Sequence, residues 1–316
     1  MKVIKKITKK FYTAIFTESG RNKAIRIVRL FRLRYFSDYY NNLPVRYKLI
    51  DGRNFVVHQN DYLSLEIYLQ KAYEELECKV VKSIVSPNDI AIDIGANVGY
   101  YTALLSKLVG DSGKVYGFEP GKTTFQKLQQ TIEYLNLDNA EIFPIGIGER
   151  EETLSFLKST SGHDAQQSMS KWIGMKLVGG EYEQDTVKIL SLDFFLKDKN
   201  IETLKVAFIK CDVEGFEKFV LQGSQSLLNS INPPIWQIEI NKPALSTNKT
   251  EVQEIIMLLN NYSLYYTPLA FSPGVGKEEK IKKVPADVTK LPEICNLFAF
   301  PCFGIYSQRS QMLDIE

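Results

Sequence analysis

Histidine is nearly missing from this sequence. The 316-residue chain carries two, His58 and His163, which excludes a His-rich metal centre and weighs against a Ser-His-Asp hydrolase. Cysteine is also scarce. The four, at 78, 211, 295 and 302, form no C-x-x-C pair, so neither a zinc knuckle nor a redox pair is indicated, and buried thiols in a reduced compartment are expected. No run of about 18 uncharged apolar residues occurs, so no membrane-spanning helix is expected. The longest apolar stretch near the N-terminus, residues 11–16, is too short for the core of a signal peptide. These absences lead to the expectation of a cytoplasmic protein. The apolar and charged fractions, 44% and 24%, are those of an ordinary globular chain able to bury a sizeable core.

What is present is unevenly placed. Residues 1–34 hold eleven Lys and Arg against Glu18, a net charge of +10 in a chain whose total is +2, which leaves −8 for the remainder. Apolar residues there recur at helical spacing (Ile4, Ile7, Phe11, Ile15, then Ala24, Ile27, Val28, Phe31, Tyr35), as in two basic amphipathic helices broken near Gly20. Such a head can pack on the body or on a second subunit. It can also dock on an anionic surface, which would set the protein peripherally on the inner face of the membrane.

Next comes a β-hairpin over 47–58, because Asp51-Gly52 suits a tight primed turn, and then a mostly helical stretch over 61–85. From residue 89 a strand and helix rhythm sets in, with strands at 89–94, 113–119, 140–147, 204–211 and 234–240 and helices at 98–109, 121–136, 215–229 and 250–261. The expected fold is α/β, a Rossmann-like, doubly wound, mostly parallel sheet. It carries an N-terminal basic helical extension and hairpin, so the expected division is 1–80 and 81–316. Between 148 and 200 the rhythm breaks: "ETLSFLKS" and "TVKILSLD" look like added strands around an insert at 160–185. Residues 262–266 and 296–306 finish the sheet, with one strand antiparallel.

Ligands in open α/β sheets bind beyond the carboxyl ends of the strands. The first such turn reads "DIGANVGYYT" (93–102). Gly95 and Gly99 let something approach the main chain closely. The dinucleotide pattern G-x-G-x-x-G is absent, since position 97 is Asn and position 102 is Thr, and so is the phosphate loop's Gly-Lys-Thr. Asp93 beside the turn repels a phosphate and suits a cationic ligand, with its carboxylate on an amino group directly or through water. S-adenosylmethionine, with an ammonium, a sulfonium and no phosphate, fits that description. The second strand ends in Glu119, placed for two ribose hydroxyls, a role that serves NAD equally; the turn chemistry favours S-adenosylmethionine. A late strand runs into Asp212-Val213-Glu214-Gly215. One of these acids serves as a helix N-cap or first-turn charge, and the other is free to orient or deprotonate an acceptor hydroxyl.

The stretches "DIGANVGYYT", "GKVYGFEP", "FQKLQQTIEYLNL", "LSLDFFL", "IKCDVEGFEKFVLQGSQSLL" and "PPIWQIEIN" resemble those of the FkbM-type methyltransferases, in family order over roughly residues 90–241. The resemblance implies a class I methyltransferase fold and S-adenosylmethionine-dependent O-methyl transfer to a hydroxyl of a sugar, glycan, glycolipid or polyketide-like acceptor. It implies that Asp93, Gly95, Asn97, Gly99 and Glu119 hold the cofactor and that Asp212 and Glu214 face the reaction centre. After Glu119-Pro120 the family's second proline is replaced by Gly121-Lys122, and residues 1–60 and 160–185 match no family pattern.

Asp212 and Glu214 are the first candidates for the base, and His163 in the insert is an outside one. No metal site is established: Mg²⁺ on the two carboxylates is an open alternative, since oxygen ligands suit it. Glu239 is a candidate acceptor contact. "NPPIW" (232–236) resembles the N-P-P-[YF] motif of amino-group methyltransferases but precedes a strand instead of following one, so it reads as a turn. Two other functions stand beside the favoured one. One is a nucleic-acid or protein methyltransferase docked through its basic head, with the turn reading of "NPPIW" weighing against nucleic acid. The other is a non-catalytic S-adenosylmethionine-binding module. The acceptor and the oligomeric state are left open.

Overall fold

In the computed structural model the described residues are 44–59, 61–159, 182–268 and 280–313. The basic head, His163, Trp172 and the centre of the insert lie outside them. The chain divides into two compact units, one ending at Glu75 and the other beginning at Leu76.

The described part of the first unit is small. β1 (Val45–Lys48) and β2 (Asn54–Val57) form the expected hairpin, and Gly52 takes a positive φ of 82° in its turn. α1 (Tyr62–Gln70) follows, capped by the Asp61 carboxylate, which accepts from the Ser64 amide at 2.6 Å. Tyr68 of this helix packs against Tyr47 of the hairpin, ring centroids 5.1 Å apart and planes tilted by 39°.

The second unit opens with α2 (Glu75–Ile84) and β3 (Ile90–Ile94). The order then runs α3 (Tyr100–Val109), β4 (Lys114–Phe118), α4 (Lys122–Leu135) and β5 (Ala140–Phe143). β6 (Gly146–Gly148), β7 (Glu152–Ser159) and β8 (Tyr182–Ser191) form a separate three-stranded sheet in the order β6-β8-β7. The strand expected over 140–147 is therefore two, one in each sheet. After α5 (Leu192–Asp198) come β9 (Val206–Cys211), α6 (Glu217–Gln222), α7 (Gln225–Leu228) and β10 (Ile235–Asn241). α8 (Lys242–Thr247), α9 (Val252–Leu258), β11 (Tyr262–Pro268), β12 (Lys282–Lys283) and β13 (Ile294–Pro301) complete the unit.

The main sheet has the order β12-β11-β13-β10-β9-β3-β4-β5. β5, β4, β3, β9 and β10 are parallel, and β13 runs antiparallel to both β10 and β11. The chain thus winds outward from β3 to β5, returns, and winds the other way from β9. The switch lies between β3 and β9, where an open α/β sheet forms its binding crevice.

Strands buried on both faces should be apolar throughout. One face obeys: Ile92, Ile94, Ile209, Cys211, Trp236 and Ile238 join a single core with Phe118 and Phe195. Phe118 and Phe195 meet edge to face at 4.7 Å, a geometry worth about 0.5–1.5 kcal/mol beyond area burial. The other face does not. Asp93, Lys210 and Gln237 are cross-strand partners in one row over β3, β9 and β10, and they are 0%, 4% and 0% exposed. The Tyr101 hydroxyl on α3 accepts from Gln237 Nε2 at 3.0 Å. Of the cysteines, 78, 211 and 295 are buried as expected, whereas Cys302 is exposed.

Candidate active site

The turn after β3 is built from three left-handed residues, Gly95 (φ 81°), Asn97 (φ 50°) and Gly99 (φ 90°). The amides of Gly95 and Ala96 both donate to the Phe118 carbonyl at 2.9 Å, which ties the turn to the end of β4. What approaches the glycines is protein. A Cβ on Gly95 would lie 1.8 Å from the carbonyl oxygen of Asp212, and one on Gly99 would lie 2.8 Å from Leu128 Cδ1 on α4. Each glycine clears space for a neighbouring element, and the turn that results presents its 96–98 backbone at the strand ends.

Asp93, expected to meet an amino group directly or through water, lies below the surface of the edge. Its carboxylate is wholly enclosed. Oδ2 accepts from the Thr102 hydroxyl at 2.6 Å, and Oδ1 has no hydrogen-bond partner among the described residues. Burial pushes its pKa up, while the Lys210 ammonium and the Thr102 bond pull it back. The bond to Thr102 ties the end of β3 to the first turn of α3.

Glu119 lies beyond the end of β4 and keeps part of its surface open. Oε2 accepts from the Asn97 amide at 3.0 Å and Oε1 from the Gly121 amide at 2.8 Å. Burial pushes this carboxyl up to about 7 despite both bonds. Each oxygen retains a second acceptor site, so a diol could be received.

Beyond β9 the chain makes a second strained turn, with Glu214 at φ 54° and Gly215 at φ 100°. A Cβ on Gly215 would meet the Ala244 carbonyl oxygen at 2.5 Å, so this turn too is packed by a neighbour, α8. Sequence reasoning assigned Asp212 or Glu214 to capping the following helix. Neither does so: α6 starts two residues later than expected and has no side-chain cap at its N-terminus, and Glu217 in its first turn holds the preceding turn instead. Glu217 Oε1 accepts from the amides of Val213 (3.2 Å) and Gly215 (3.0 Å), and burial pushes the carboxyl up to about 8. Asp212 and Glu214 are both left for the edge. Asn241 Nδ2 donates to Glu214 Oε2 at 3.3 Å.

Lys210 was missed in the sequence. Its ammonium donates to Asp212 Oδ2 at 2.7 Å and lies 4.7 Å from the centroid of the Tyr101 ring. The signal was available: one lysine inside the otherwise apolar strand VAFIKC. Asp212, Glu214 and Glu239 bring one carboxylate oxygen each within 4.8 Å of one another, an oxygen-only set of the kind a hard divalent cation accepts.

All seven predicted site residues stand at the carboxyl ends of β3, β4 and β9, and Glu239 joins them from β10. Asn232-Pro233-Pro234 stands at the opposite end of β10, where the Asn232 side chain accepts from the Ile305 amide at 3.2 Å. It is a turn, as expected. Tyr100 and Tyr101 are core residues, 3% and 4% exposed, and offer no stacking surface.

Strand order, switch point and an acid-bearing, phosphate-loop-free edge define an open α/β domain of the class I methyltransferase type. The methyltransferase FkbM domain matches residues 93–264, which is more than half the chain, and the protein belongs to that family. It is similar to Methyltransferase 1 of Beauveria bassiana, 27% identical over 179 residues (52% of this chain, 66% of that protein). It is also similar to the hexuronic acid methyltransferase AglP of Haloferax volcanii, 27% identical over 155 residues (48% and 56%). The chain thus spans less than two thirds of either relative's length. Among solved structures it resembles the methyltransferase FkbM of Methylobacillus flagellatus, with TM-score 0.39, 14% identity, and 75% of this chain and 52% of that one covered. An S-adenosylmethionine-dependent O-methyltransferase of Thermotoga maritima gives TM-score 0.40 and 14% identity over 82% and 78%. Among the described residues no helix is long and apolar enough to cross a membrane.

Proposed function

We propose that the protein is an S-adenosylmethionine-dependent O-methyltransferase acting on a hydroxyl of a sugar, glycan, glycolipid or polyketide-like acceptor, with a sugar hydroxyl the favoured target. The observation that carries this reading is the grouping of Glu119, Asp212 and Glu214 at one sheet edge in a member of the FkbM family. That edge fits the cofactor. Glu119 is fixed by two amides with acceptor capacity to spare for two ribose hydroxyls, and the acids around it suit a ligand bearing an ammonium and a sulfonium. Gly95, Asn97 and Gly99 shape the turn beneath it, and Asp93 adds negative charge from below.

When bound, the cofactor supplies an electrophilic methyl group on a positively charged sulfur. The protein's task is to hold the acceptor oxygen in line with that methyl at near-attack distance. The acceptor hydroxyl would have to lose its proton as its oxygen gains the methyl group, the displaced electron pair remaining on the cofactor. Asp212 is the base that takes it, because its side chain is 23% exposed and faces the switch point. Glu214, exposed and held by Asn241, orients the hydroxyl. The similarity to a hexuronic acid methyltransferase supports a uronic-acid glycoside as the first acceptor to try. This reading calls for no metal, because Asp212 takes the proton itself.

The test is transfer of labelled methyl from S-adenosylmethionine to a panel containing p-nitrophenyl β-D-glucuronide, neutral glycosides, tRNA and a mixed peptide pool. Label on a glycoside oxygen, lost in Asp212→Asn and kept in the presence of EDTA, is the expected result. Label on tRNA or peptide alone would overturn the acceptor class.

A further inference from the structure

Lysine is rarely buried, and Lys210 stands in the middle of a sheet covered on both faces, 4% exposed. An uncompensated ammonium there would cost several kcal/mol. Compensation is visible: Asp212 at 2.7 Å, the Tyr101 ring face at 4.7 Å, and Asp93 as its cross-strand partner on β3. Keeping this arrangement solely for stability makes little physical sense, since an apolar residue in β9 would pack as well.

The edge itself supplies a reason. Asp212, Glu214 and Glu239 bring their carboxylates together where a sulfonium must bind. Methyl transfer discharges that sulfonium. A site that holds the cation too strongly therefore favours the ground state over the transition state and slows the step. A fixed positive charge beneath the acids moderates this preference. It also occupies Oδ2 of Asp212 and so leaves Oδ1 to face the acceptor.

We infer that Lys210 is a positioning residue and the resident counter-cation of the transfer site: it orients Asp212 and offsets its charge, and so sets how strongly the site prefers the sulfonium cofactor over its thioether product. This rests on the reading that Asp212 lies beside the transferred methyl. A unit charge within about 8 Å of another, at an effective dielectric constant of about 30, changes a binding constant by roughly tenfold.

The experiment needs no acceptor. Calorimetric dissociation constants for S-adenosylmethionine and S-adenosylhomocysteine are measured on the full chain for the wild type, K210M, K210Q, K210R, D212N and the K210M/D212N pair. K210M and K210Q should raise the preference for S-adenosylmethionine about tenfold. K210R should stay within about twofold of wild type, D212N should lower the preference about tenfold, and the double variant should return to within about threefold. A purely structural lysine would weaken both ligands equally and leave the ratio unmoved. If D212N shifts the ratio and neither K210M nor K210Q does, the inference falls and the placement of Asp212 stands. If D212N leaves the ratio unchanged, the placement of Asp212 falls and takes the inference with it.

Discussion

The turns after β3 and after β9 are built alike and used differently. Each follows a strand of the sheet's centre, each bends through left-handed residues, and each has a glycine pressed by a neighbour's carbonyl oxygen: Gly95 by Asp212 and Gly215 by Ala244. In the first turn the acid, Asp93, is sealed beneath the helix and held by Thr102. In the second the acids, Asp212 and Glu214, keep part of their surface exposed, and Glu217 holds the backbone between them through the amides of Val213 and Gly215. The same backbone device therefore yields a closed, shape-giving turn on one side of the switch point and, on the other, the turn to which the proposed function assigns the reaction. Strained backbone of this kind persists only where its surroundings enforce it, and here each turn is part of the surroundings of the other.

Four substitutions probe that contrast. The largest effect is expected from Asp212→Asn, which should lower kcat by about 10² to 10⁴ while leaving S-adenosylhomocysteine affinity within a few-fold; the two numbers come from steady-state kinetics and calorimetry. Gly95→Ala comes next. It adds a methyl 1.8 Å from the Asp212 carbonyl oxygen at a positive φ, so it should cost at least about 3 kcal/mol of stability in urea unfolding and disturb both turns at once. Third, Glu119→Gln should weaken S-adenosylhomocysteine binding by about tenfold to a hundredfold, the value of one or two charge-assisted hydrogen bonds, with no change in folding of the acid turn. The smallest effect concerns Glu217. Its carboxyl is raised to about 8 when folded, against about 4.3 in an unfolded chain. The unfolded state thus gives up its proton first, and stability falls as pH rises between about 4.5 and 8. Glu217→Gln should flatten that part of the melting-temperature profile; an unaltered slope would assign it to other groups.

Much of this was legible in the sequence, for physical reasons that differ by region. The strands and helices after residue 89 were legible because short, mostly apolar runs alternate with stretches of helical period and are bounded by turn residues. Glu119 was readable because a strand end in an α/β sheet has a known direction. The glycines were readable as close approaches but not as to what approached, since the Asp212 carbonyl comes from a strand more than a hundred residues away. The break at 143–146, which sends β6 into a second sheet, carries no periodic signal. Glu217 looked like one more helix acid, and only its burial shows that it holds the turn. Lys210 was visible as an oddity in VAFIKC, yet its meaning depends on Asp93 and Tyr101 from other elements.

The central claim is that the acid-bearing edge receives S-adenosylmethionine. Its most direct test is calorimetric titration of the intact protein with S-adenosylhomocysteine, with NADH as the comparison. The account predicts saturable one-to-one binding of S-adenosylhomocysteine and none of NADH. Binding of NADH, or of neither ligand, would contradict it.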